Sequence, residues 1–486
     1  MLRSTTSNLI RSSSSTTTRS IINRISKATM ASVNEPVVLF KQVGNANFIT
    51  LNRPAKLNSL NTEMIELMTP KLVEWAQETG NKTIILNSNS PKALCAGGDV
   101  AECSRTIKAG NPQYPCDFFQ KEYNLNYIIS TFPKPYVAIM DGITFGGGVG
   151  LSVHAPFRVA TEKTKVAMPE MDIGFFPDVG ATFFLPRLDN RLGYYYALTN
   201  TILTGLDAYM AGFATHYIKS ENIPILEKRL SEVVNHLGGV KHFQEVNQVL
   251  DGMAEKKIPD DYKFPLSTEE IALINKAFNQ KSIFHVIEYL KKDGSEFALK
   301  TLAKLNEKPT TSLAIAFDLM NEGVKNTIRQ QFELEMIAAT NLSCIDPAEN
   351  DFANGVAHKL IHKIKSPPFP KWTPAEKVDN KFIQSMKYKS KNVLEHLKTP
   401  LLNPWFGVDY KEYPFKMGLP TNQDVAEYIT GTDGSGRTYL PTPSELMKHF
   451  KAKYYSKAGI EYKINEILAI HGNTKAYDNK YVGWTP

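Results

Sequence analysis

The order of apolar and polar residues predicts short strands and helices in alternation over the first half of the chain. Two apolar runs, 37–40 and 48–51, flank the polar segment 44–47, and this pattern predicts a β-hairpin. Apolar residues then recur at helical spacing over residues 62–80. Strands and helices in this order are typical of an α/β fold.

Further predicted elements continue this alternation. They are a strand at 83–86, a helix at 116–132, a strand at 136–140, a glycine-rich turn leading into a helix of small residues, and strands at 158–160 and 165–167. Periodicity alone does not separate a doubly wound sheet from a spiral of stacked β-β-α turns, so both remain open at this point.

The second half of the chain has a different character. Residues 221–365 are predicted to be mostly helical, and the proline-rich segment 366–370 is a predicted boundary. Residues 371–486 contain several aromatic residues and a predicted helix near 443–455, so we expect an appended segment packed on the core. The predicted division is a leader at 1–34, a core at 35–220, a helical region completing the same domain at 221–370, and a C-terminal extension at 371–486.

The first 34 residues contain five Arg or Lys residues and no acid, and they are dense in Ser and Thr. This composition is typical of a mitochondrial transit peptide, whereas a secretory signal needs a continuous apolar stretch that is missing here. We therefore predict a transit peptide and a location in the mitochondrial matrix. A merely disordered tail is the alternative.

The net charge of +7 is concentrated at the two ends of the chain. Residues 1–35 contain five basic residues and one acid, a net +4, and residues 371–486 contain 17 and 12, a net +5, so the remainder has 7 − 9 = −2. Charge alone therefore does not imply nucleic-acid binding. No run approaches the roughly 20 apolar residues that span a bilayer, so we expect no membrane segment.

Several common site types are disfavoured by the sequence. The cysteines form no C-x-x-C pair and have no histidine cluster beside them, so neither a metal site nor a disulfide framework is expected. A dinucleotide fingerprint fails because Leu151 and Val153 occupy the position of its third glycine. We expect His154 and His216 to be structural. The cysteines are Cys95, which we expect to be buried, and Cys103, Cys116 and Cys344.

Two glycine-rich stretches, 94–99 and 141–150, each follow a predicted strand. Glycine lets the backbone approach a ligand closely or adopt a positive φ. Each stretch also offers free N–H groups, the second at a predicted helix N-terminus. Two such donors that converge on one oxygen form an oxyanion hole. A pair of ordinary tight turns is the alternative.

Two acids, Glu170 and Asp178, lie eight residues apart with Ile173, Phe175 and Phe176 between them. Apolar neighbours can desolvate a carboxylate and raise its pKa towards the range useful for a general base. Alternatively, Asp178 is the N-cap of a helix at 179–185, and Glu170 is an acid of a helical first turn or a loop.

The stretch from about 37 to 219 resembles the crotonase (enoyl-CoA hydratase/isomerase) superfamily. Within it, "CAGGDV", "KPYVAIMDGITFGGGVGLSVHAPFRVATEKT" and "AMPEMDIGFFPDVGATFFLPRL" closely resemble the 3-hydroxyisobutyryl-CoA hydrolase family. The resemblance is weaker through "TSLAIAFDLM" and "DFANGV" to "PKWTPA". It implies a core of stacked β-β-α turns, with CoA bound in a bent conformation beside the loop "NRPAKLNSL".

The resemblance also implies roles for individual residues. The N–H groups of Gly98 and Gly147 would form the oxyanion hole. Glu170 would be the catalytic carboxylate and Asp178 the second acid. Glu122, on the helix before the "KPYVA" strand, would contact the substrate.

One position separates the reactions of the superfamily. Hydratases have a catalytic Glu three residues after the middle glycine of the triple, and here that residue is Gly150, which disfavours a hydratase or isomerase. The resemblance therefore implies hydrolysis of a short 3-hydroxyacyl-CoA thioester, such as 3-hydroxyisobutyryl-CoA in valine degradation. CoA is part of that substrate, and no separate cofactor is expected. Whether Glu170 activates water or attacks the thioester directly stays open.

The chain departs from the family in two places. The family's usual basic residue after "EGV" is replaced here by Ala357 after "NGV". Ala357 therefore does not supply the contact, either with CoA or within the structure, that the basic residue makes in the family. The extension at 371–486 exceeds what these hydrolases need, and fungal relatives of them also occur as a subunit of the small mitochondrial ribosomal particle. The net charge of +5 on the extension would suit contact with RNA or a ribosomal neighbour. The alternative function is therefore a subunit of the small mitochondrial ribosomal particle. A homo-oligomer is compatible with the sequence.

Overall fold

The computed structural model describes residues 35–80, 82–234, 238–364, 370–474 and 480–485. The predicted transit peptide and most of the predicted proline-rich boundary lie outside these residues. Residues from Val38 onward form one compact unit. The predicted division of this unit at 220 and 370 remains a prediction.

The chain forms short strands in its first half and helices throughout. The strands are β1 (Val38–Val43), β2 (Ala46–Leu51), β3 (Thr83–Ser88), β4 (Ala93–Cys95), β5 (Tyr136–Met140), β6 (Ile143–Phe145), β7 (Phe157–Ala160), β8 (Lys165–Ala167), β9 (Leu203–Thr204), β10 (His216–Tyr217), β11 (Gly472–Asn473) and β12 (Gly483–Trp484).

The α-helices are α1 (Thr62–Gln77), α2 (Ala101–Lys108), α3 (Gln113–Ser130), α4 (Gly147–Gly150), α5 (Ala181–Phe184), α6 (Leu192–Thr199), α7 (Gly205–Met210), α8 (Ile223–Ser231), α9 (Gly239–Met253), α10 (Thr268–Ala277), α11 (Ile283–Asp293), α12 (Glu296–Asn306), α13 (Thr310–Gly323), α14 (Ile328–Ser343), α15 (Asp351–Val356), α16 (Asn380–Met386), α17 (Lys391–His396), α18 (Asn422–Thr430), α19 (Pro443–Lys453) and α20 (Ile460–His471). Short 3₁₀ turns lie at Pro54–Lys56, Pro169–Ile173, Leu185–Arg187, Asp189–Arg191, Ser220–Asn222 and Ala375–Lys377, and a π turn at Ala357–Ile361.

The strands form two main sheets, and the strands from β3 to β8 alternate between them. One has the order β1-β2-β3-β5-β7-β10 and the other β4-β6-β8-β9. From β3 to β8 each odd strand enters the larger sheet and each even strand the smaller one, and neighbouring strands of this series are parallel within each sheet. This is a spiral of stacked β-β-α turns, which resolves the alternative that periodicity left open.

The first hairpin is tighter than predicted. The strands pair from Val38 with Leu51 to Val43 with Ala46, so the turn is only Gly44 and Asn45. A Cβ atom at Gly44, whose φ is +51°, would lie 2.4 Å from the carbonyl oxygen of Ser231. The predicted turn at 44–47 was too long because a buried polar residue of β2, Asn47, looks like a loop residue in the sequence.

The larger sheet buries one face against α8 and α9. Ile85, Val137 and Val159, on the adjacent strands β3, β5 and β7, lie in one buried cluster with Leu226 of α8 and Val246 of α9. The β-branched side chains of the three strand residues favour strands and pack closely against helices. Cys95 on β4 is fully buried, as predicted, and all four cysteines are free.

Helix α3 lies between α1 and α14 and is almost entirely buried. Part of the extension runs along it. Gln120 Nε2 donates to the carbonyl of Lys398 (2.9 Å), and Tyr127 OH donates to that of Val408 (3.0 Å). The extension is therefore packed on the core, as predicted.

The last helices of the extension, α18 to α20, form an apolar cluster of their own around Leu446, Phe450 and Ile464. Lys457, between α19 and α20, fixes this cluster to the core, because its Nζ lies 3.2 Å from the Asp251 carboxylate. No helix among the described residues has the length and apolar character that crossing a bilayer requires.

Candidate active site

The two glycine-rich stretches meet at one edge of the smaller sheet. The glycines at 97–98 follow β4 and those at 146–148 follow β6, and these two strands are parallel neighbours, so their carboxyl ends lie side by side. A Cβ atom built at Gly147, the first residue of α4, would lie 3.3 Å from the backbone nitrogen of Gly98. The predicted convergence of the two turns is therefore present in the structure.

Both glycine N–H groups are available to a ligand. Leu60 bridges to either side of Gly98, donating to the Gly97 carbonyl (2.8 Å) and accepting from Asp99 N–H (2.8 Å), and this leaves the Gly98 N–H unused. The Gly147 N–H is in the first turn of α4, where no intrahelical acceptor exists. Neither N–H has an acceptor in the part of the chain that the structure describes.

The three predicted acids, Glu122, Glu170 and Asp178, line the same cavity as these glycines. A Cβ atom at Gly147 would lie 2.7 Å from Glu122 Oε1, and one at Gly146 would lie 2.5 Å from Glu170 Oε1. Both acids therefore lie directly against the glycine turns. The five predicted site residues are brought together in one cavity.

The cavity holds these carboxyl groups out of water. Burial, followed by repulsion from the Asp178 charge, raises the pKa values of Glu122 and Glu170 well above the usual range. Burial also raises the pKa of Asp178 to about 7, although the hydrogen bond from Tyr123 opposes this shift. A carboxyl whose pKa approaches neutrality is suited to proton transfer.

Two oxygens of these acids have unused hydrogen-bonding capacity. Within the described residues, Glu122 Oε1 and Glu170 Oε2 are buried and have no hydrogen-bond partner. Buried polar atoms are nearly always paired in folded proteins. Oxygens that lack a partner beside a cavity are suited to accept hydrogen bonds from water or from a substrate hydroxyl.

The structure also decides the alternatives for the two acids. Helix α5 begins at Ala181 with Gly180 at its cap, so the N-cap interpretation of Asp178 is wrong. Its carboxylate instead accepts a hydrogen bond from Tyr123 OH (2.7 Å). Glu170 does lie in the first turn of a 3₁₀ helix, where it also faces the cavity.

Sequence reasoning missed a charged cluster at the cavity. Asp172 lines it and accepts from Lys308 (2.6 Å) and Lys359 (2.8 Å). Burial opposes ionisation of Asp172, but these two ammonium groups hold its pKa below the usual range. Lys359 lies two residues after Ala357 and also lines the cavity, so a basic group is present near the place where the family pattern puts one. Its pairing with Asp172, 187 residues away, could not be read from the sequence.

The position that separates hydratases from hydrolases is sterically closed. A Cβ atom at Gly150 would lie 2.6 Å from the Cβ of Val179 and 2.9 Å from the side-chain nitrogen of Asn126. Contacts this short do not occur in folded proteins, so no side chain fits at residue 150 in this backbone. The cavity therefore cannot receive a carboxylate from there.

Comparison with known proteins agrees with this geometry. A family model described as Enoyl-CoA hydratase/isomerase matches residues 46–386. The mitochondrial 3-hydroxyisobutyryl-CoA hydrolase of Danio rerio is 42% identical over 354 residues, 73% of this chain and 89% of that protein. A carnitinyl-CoA dehydratase structure from Mycobacterium thermoresistibile superimposes with a TM-score of 0.62 at 29% identity, covering 74% of this chain and 98% of that one.

Another relative extends further along the chain. Small ribosomal subunit protein mS47 of Neurospora crassa is 35% identical over 444 residues, 89% of this chain and 84% of that protein. Residues 1–370 make up only 370 of the 486 residues, about 76%, so this match must include part of the extension. On the family match over residues 46–386 and these relatives, the chain belongs to the enoyl-CoA hydratase/isomerase family.

Proposed function

We propose that this protein hydrolyses a short 3-hydroxyacyl-CoA thioester, most specifically 3-hydroxyisobutyryl-CoA, to the hydroxy acid and CoA. The observation that carries the proposal is the meeting, in one cavity, of the buried carboxylate of Glu170 with two N–H groups, on Gly98 and Gly147, that lack an acceptor among the described residues. The relatives with this activity in their names support it. The protein is mitochondrial, in agreement with the names of those relatives.

In this proposal the thioester carbonyl oxygen accepts hydrogen bonds from both glycine N–H groups, which stabilise the negative charge that develops on it. Glu170 then acts in one of two ways. It removes a proton from water as the water oxygen attacks, or it attacks the carbonyl carbon itself to form an anhydride that water opens. In both routes the C–S bond breaks and the CoA thiolate takes up a proton.

The other two acids are suited to recognise the substrate's 3-hydroxyl group. Asp178 has one carboxylate oxygen engaged by Tyr123 OH, and Glu122 Oε1 has no partner among the described residues. A site built to bond a hydroxyl group rejects an analogue that lacks it, because its buried polar groups are then left unpaired.

The CoA portion of the bound substrate would extend from the cavity along an adjoining groove. This groove shares Gly98 and Val100 with the cavity and contains the basic side chains Lys56 and Arg105. Their charges suit the phosphates of CoA. We propose no cofactor or metal beyond the CoA that belongs to the substrate.

The proposal is tested with purified protein and a panel of CoA esters, with thiol release as the measurement. We expect 3-hydroxyisobutyryl-CoA to be hydrolysed much faster than isobutyryl-CoA, which differs only in the hydroxyl group. Asp178→Asn should reduce this preference. No thiol release from any 3-hydroxyacyl ester would refute the proposed activity.

A second candidate function is a subunit of the small mitochondrial ribosomal particle. It is favoured by the similarity to mS47, which reaches into the extension, and by the net +5 of residues 371–486. Lys381, Lys389 and Lys391 are exposed basic residues of the extension that could contact RNA.

Gradient sedimentation of mitochondrial lysate tests this second function. We expect a fraction of the protein to co-migrate with the small subunit and the triple change of Lys381, Lys389 and Lys391 to Glu to abolish co-migration. The matched control is the same change at three exposed lysines of the helical region, outside the extension. These are Lys291, Lys292 and Lys300. A wild-type protein found entirely in the soluble pool would contradict the ribosomal role.

A further inference from the structure

The loop that bears Asp178 is held in an unfavourable backbone conformation. Val179 has a φ of +54°, in the left-handed region that β-branched residues rarely adopt. Such a conformation persists only where surrounding contacts enforce it. The contacts that hold Val179 therefore also fix the position of the neighbouring Asp178 carboxylate in the cavity.

One of these contacts comes from His154, which is buried between the loop and the extension. Its Nε2 lies 2.8 Å from the carbonyl oxygen of Val179, and its Nδ1 lies 2.8 Å from the hydroxyl of Tyr413. A Cβ atom at Gly180 would lie 2.4 Å from this Nε2, so the imidazole packs directly on the loop.

The chemistry of these contacts fixes the direction of the hydrogen bonds. Burial lowers the pKa of His154 to about 4, so the ring is neutral at physiological pH and has one N–H. A carbonyl oxygen can only accept, so Nε2 must have the proton. Nδ1 is then an acceptor, and Tyr413 OH must donate to it. The Val179 carbonyl thus selects the tautomer, and the Tyr413 hydroxyl stabilises it by donating to Nδ1 and holding the ring against the loop.

Tyr413 belongs to the extension and lies beyond residue 386, where the family match ends. Its ring packs edge-on against Phe183, with ring centres 5.4 Å apart. Its segment is fixed by Arg187, which donates to the Lys411 carbonyl (2.5 Å), whereas the hydroxyl of the nearby Tyr410 is directed to the Ser130 carbonyl (3.0 Å).

From this chain of contacts we propose that Tyr413 is a positioning residue of the active site, which acts through His154 and the Val179 carbonyl to hold Asp178. The extension is then a working part of the enzyme as well as an appended segment. The inference rests on the proposed hydrolase function for its kinetic consequence, but the hydrogen-bonded chain itself can be tested without it.

The test is Tyr413→Phe, which removes the hydroxyl group and keeps the packed ring. Its matched control is Tyr410→Phe, which removes a hydroxyl hydrogen bond to the Ser130 carbonyl and keeps the ring contact with Tyr413. We expect Tyr413→Phe to lower kcat on 3-hydroxyisobutyryl-CoA by roughly 10- to 100-fold with a smaller change in KM. Tyr410→Phe should keep the wild-type kcat.

Two further measurements do not depend on activity. In ¹⁵N-histidine spectra, Tyr413→Phe should shift the resonance of His154 Nδ1, because this nitrogen loses its hydrogen-bond donor, and hydrogen exchange of a peptide covering 176–184 should accelerate. Tyr410→Phe should change neither. Unchanged spectra and exchange in Tyr413→Phe would overturn the proposal, and so would an unchanged kcat in an active enzyme. An inactive wild-type protein refutes the hydrolase function instead, while the spectra still decide the role of Tyr413.

Discussion

Gly150 and Val179 fit each other so closely that a Cβ atom on the glycine would lie 2.6 Å from the Cβ of the valine. Gly150 ends helix α4, and Val179 follows Asp178 in the loop opposite. The contact locks the helix that presents the Gly147 N–H against the loop that presents an acid. The same contact closes the position from which a hydratase would supply its additional glutamate.

We expect Gly150→Glu to destabilise the protein without creating a hydratase. The added side chain must displace Val179 or Asn126, and overpacking of this kind typically costs about 1–3 kcal/mol or more. Thermal unfolding and hydration of crotonyl-CoA are the measurements. Gly252→Ala, at a helical position where a Cβ meets open space, is the control and should unfold at or above the wild-type temperature. A stable, hydrating Gly150→Glu protein would contradict the account.

Alanine at the two glycines of the proposed oxyanion hole, Gly98 and Gly147, should have unequal effects. At Gly147 the new Cβ would lie 2.7 Å from Glu122 Oε1 and 3.3 Å from the Gly98 nitrogen, so it would occupy the space of the substrate oxygen. At Gly98 its tightest contact would be Val100 Cγ1, at 3.3 Å, with Phe118 ring carbons at an ordinary 3.6 Å, and the backbone N–H would remain. We expect Gly147→Ala to lower kcat by about 10²-fold or more and Gly98→Ala to lower it far less. Equal losses in steady-state assays would argue against the predicted oxygen position.

The rate of hydrolysis should depend on pH through a carboxyl with a raised pKa. Glu170 must be ionised to act as a base or nucleophile, and its burial raises its pKa well above the usual range. We expect kcat/KM to fall about tenfold per pH unit below an apparent pKa higher than that of an ordinary glutamate. A profile that is flat down to pH 5 would mean that Glu170 is not the titrating group.

The stability of the folded protein should fall as the pH rises, whereas the rate of hydrolysis should rise. The pKa of Asp178 is about 7 in the folded protein, above its ordinary value, so between these values the folded state binds more protons than the unfolded state. Its contribution to the free energy of unfolding therefore falls as the pH rises through this window, by roughly 2 kcal/mol between pH 5 and pH 7. The free energy of unfolding, measured by denaturant titration at each pH, should fall less between pH 5 and pH 7 for Asp178→Asn than for the wild type. An equal fall in the two proteins would contradict the raised pKa of Asp178.

Much of the site could be predicted because each member lies in a short local motif. Gly98, Gly147, Glu170 and Asp178 belong to segments whose order and spacing are readable, and the structure places all of them in one cavity. The spiral of β-β-α turns was harder to predict from the sequence. Strands such as β4 and β6 have three residues each, and inside glycine-rich stretches such short runs resemble turns.

The contacts that support the site could not be predicted, since they join residues far apart in the chain. Tyr123 is adjacent to Glu122, yet its hydrogen bond to Asp178 spans 55 residues. Glu335 accepts from the Gly180 N–H (2.7 Å) across 155 residues, and Tyr413 reaches His154 across 259. Periodicity reports which face of an element is buried, but not which distant element covers it.

We propose that Glu170 performs the chemistry at the proposed oxyanion hole, and the change Glu170→Gln tests this role. Glutamine keeps the shape of the side chain but cannot accept the proton or act as a carboxylate nucleophile. The exposed Glu296, changed to Gln, is the control. The measurements are thiol release from 3-hydroxyisobutyryl-CoA and calorimetric binding of the same ester. We expect Glu170→Gln to bind the ester with near wild-type affinity and to turn over at least about 10²-fold more slowly. Turnover at the wild-type rate would refute the role of Glu170.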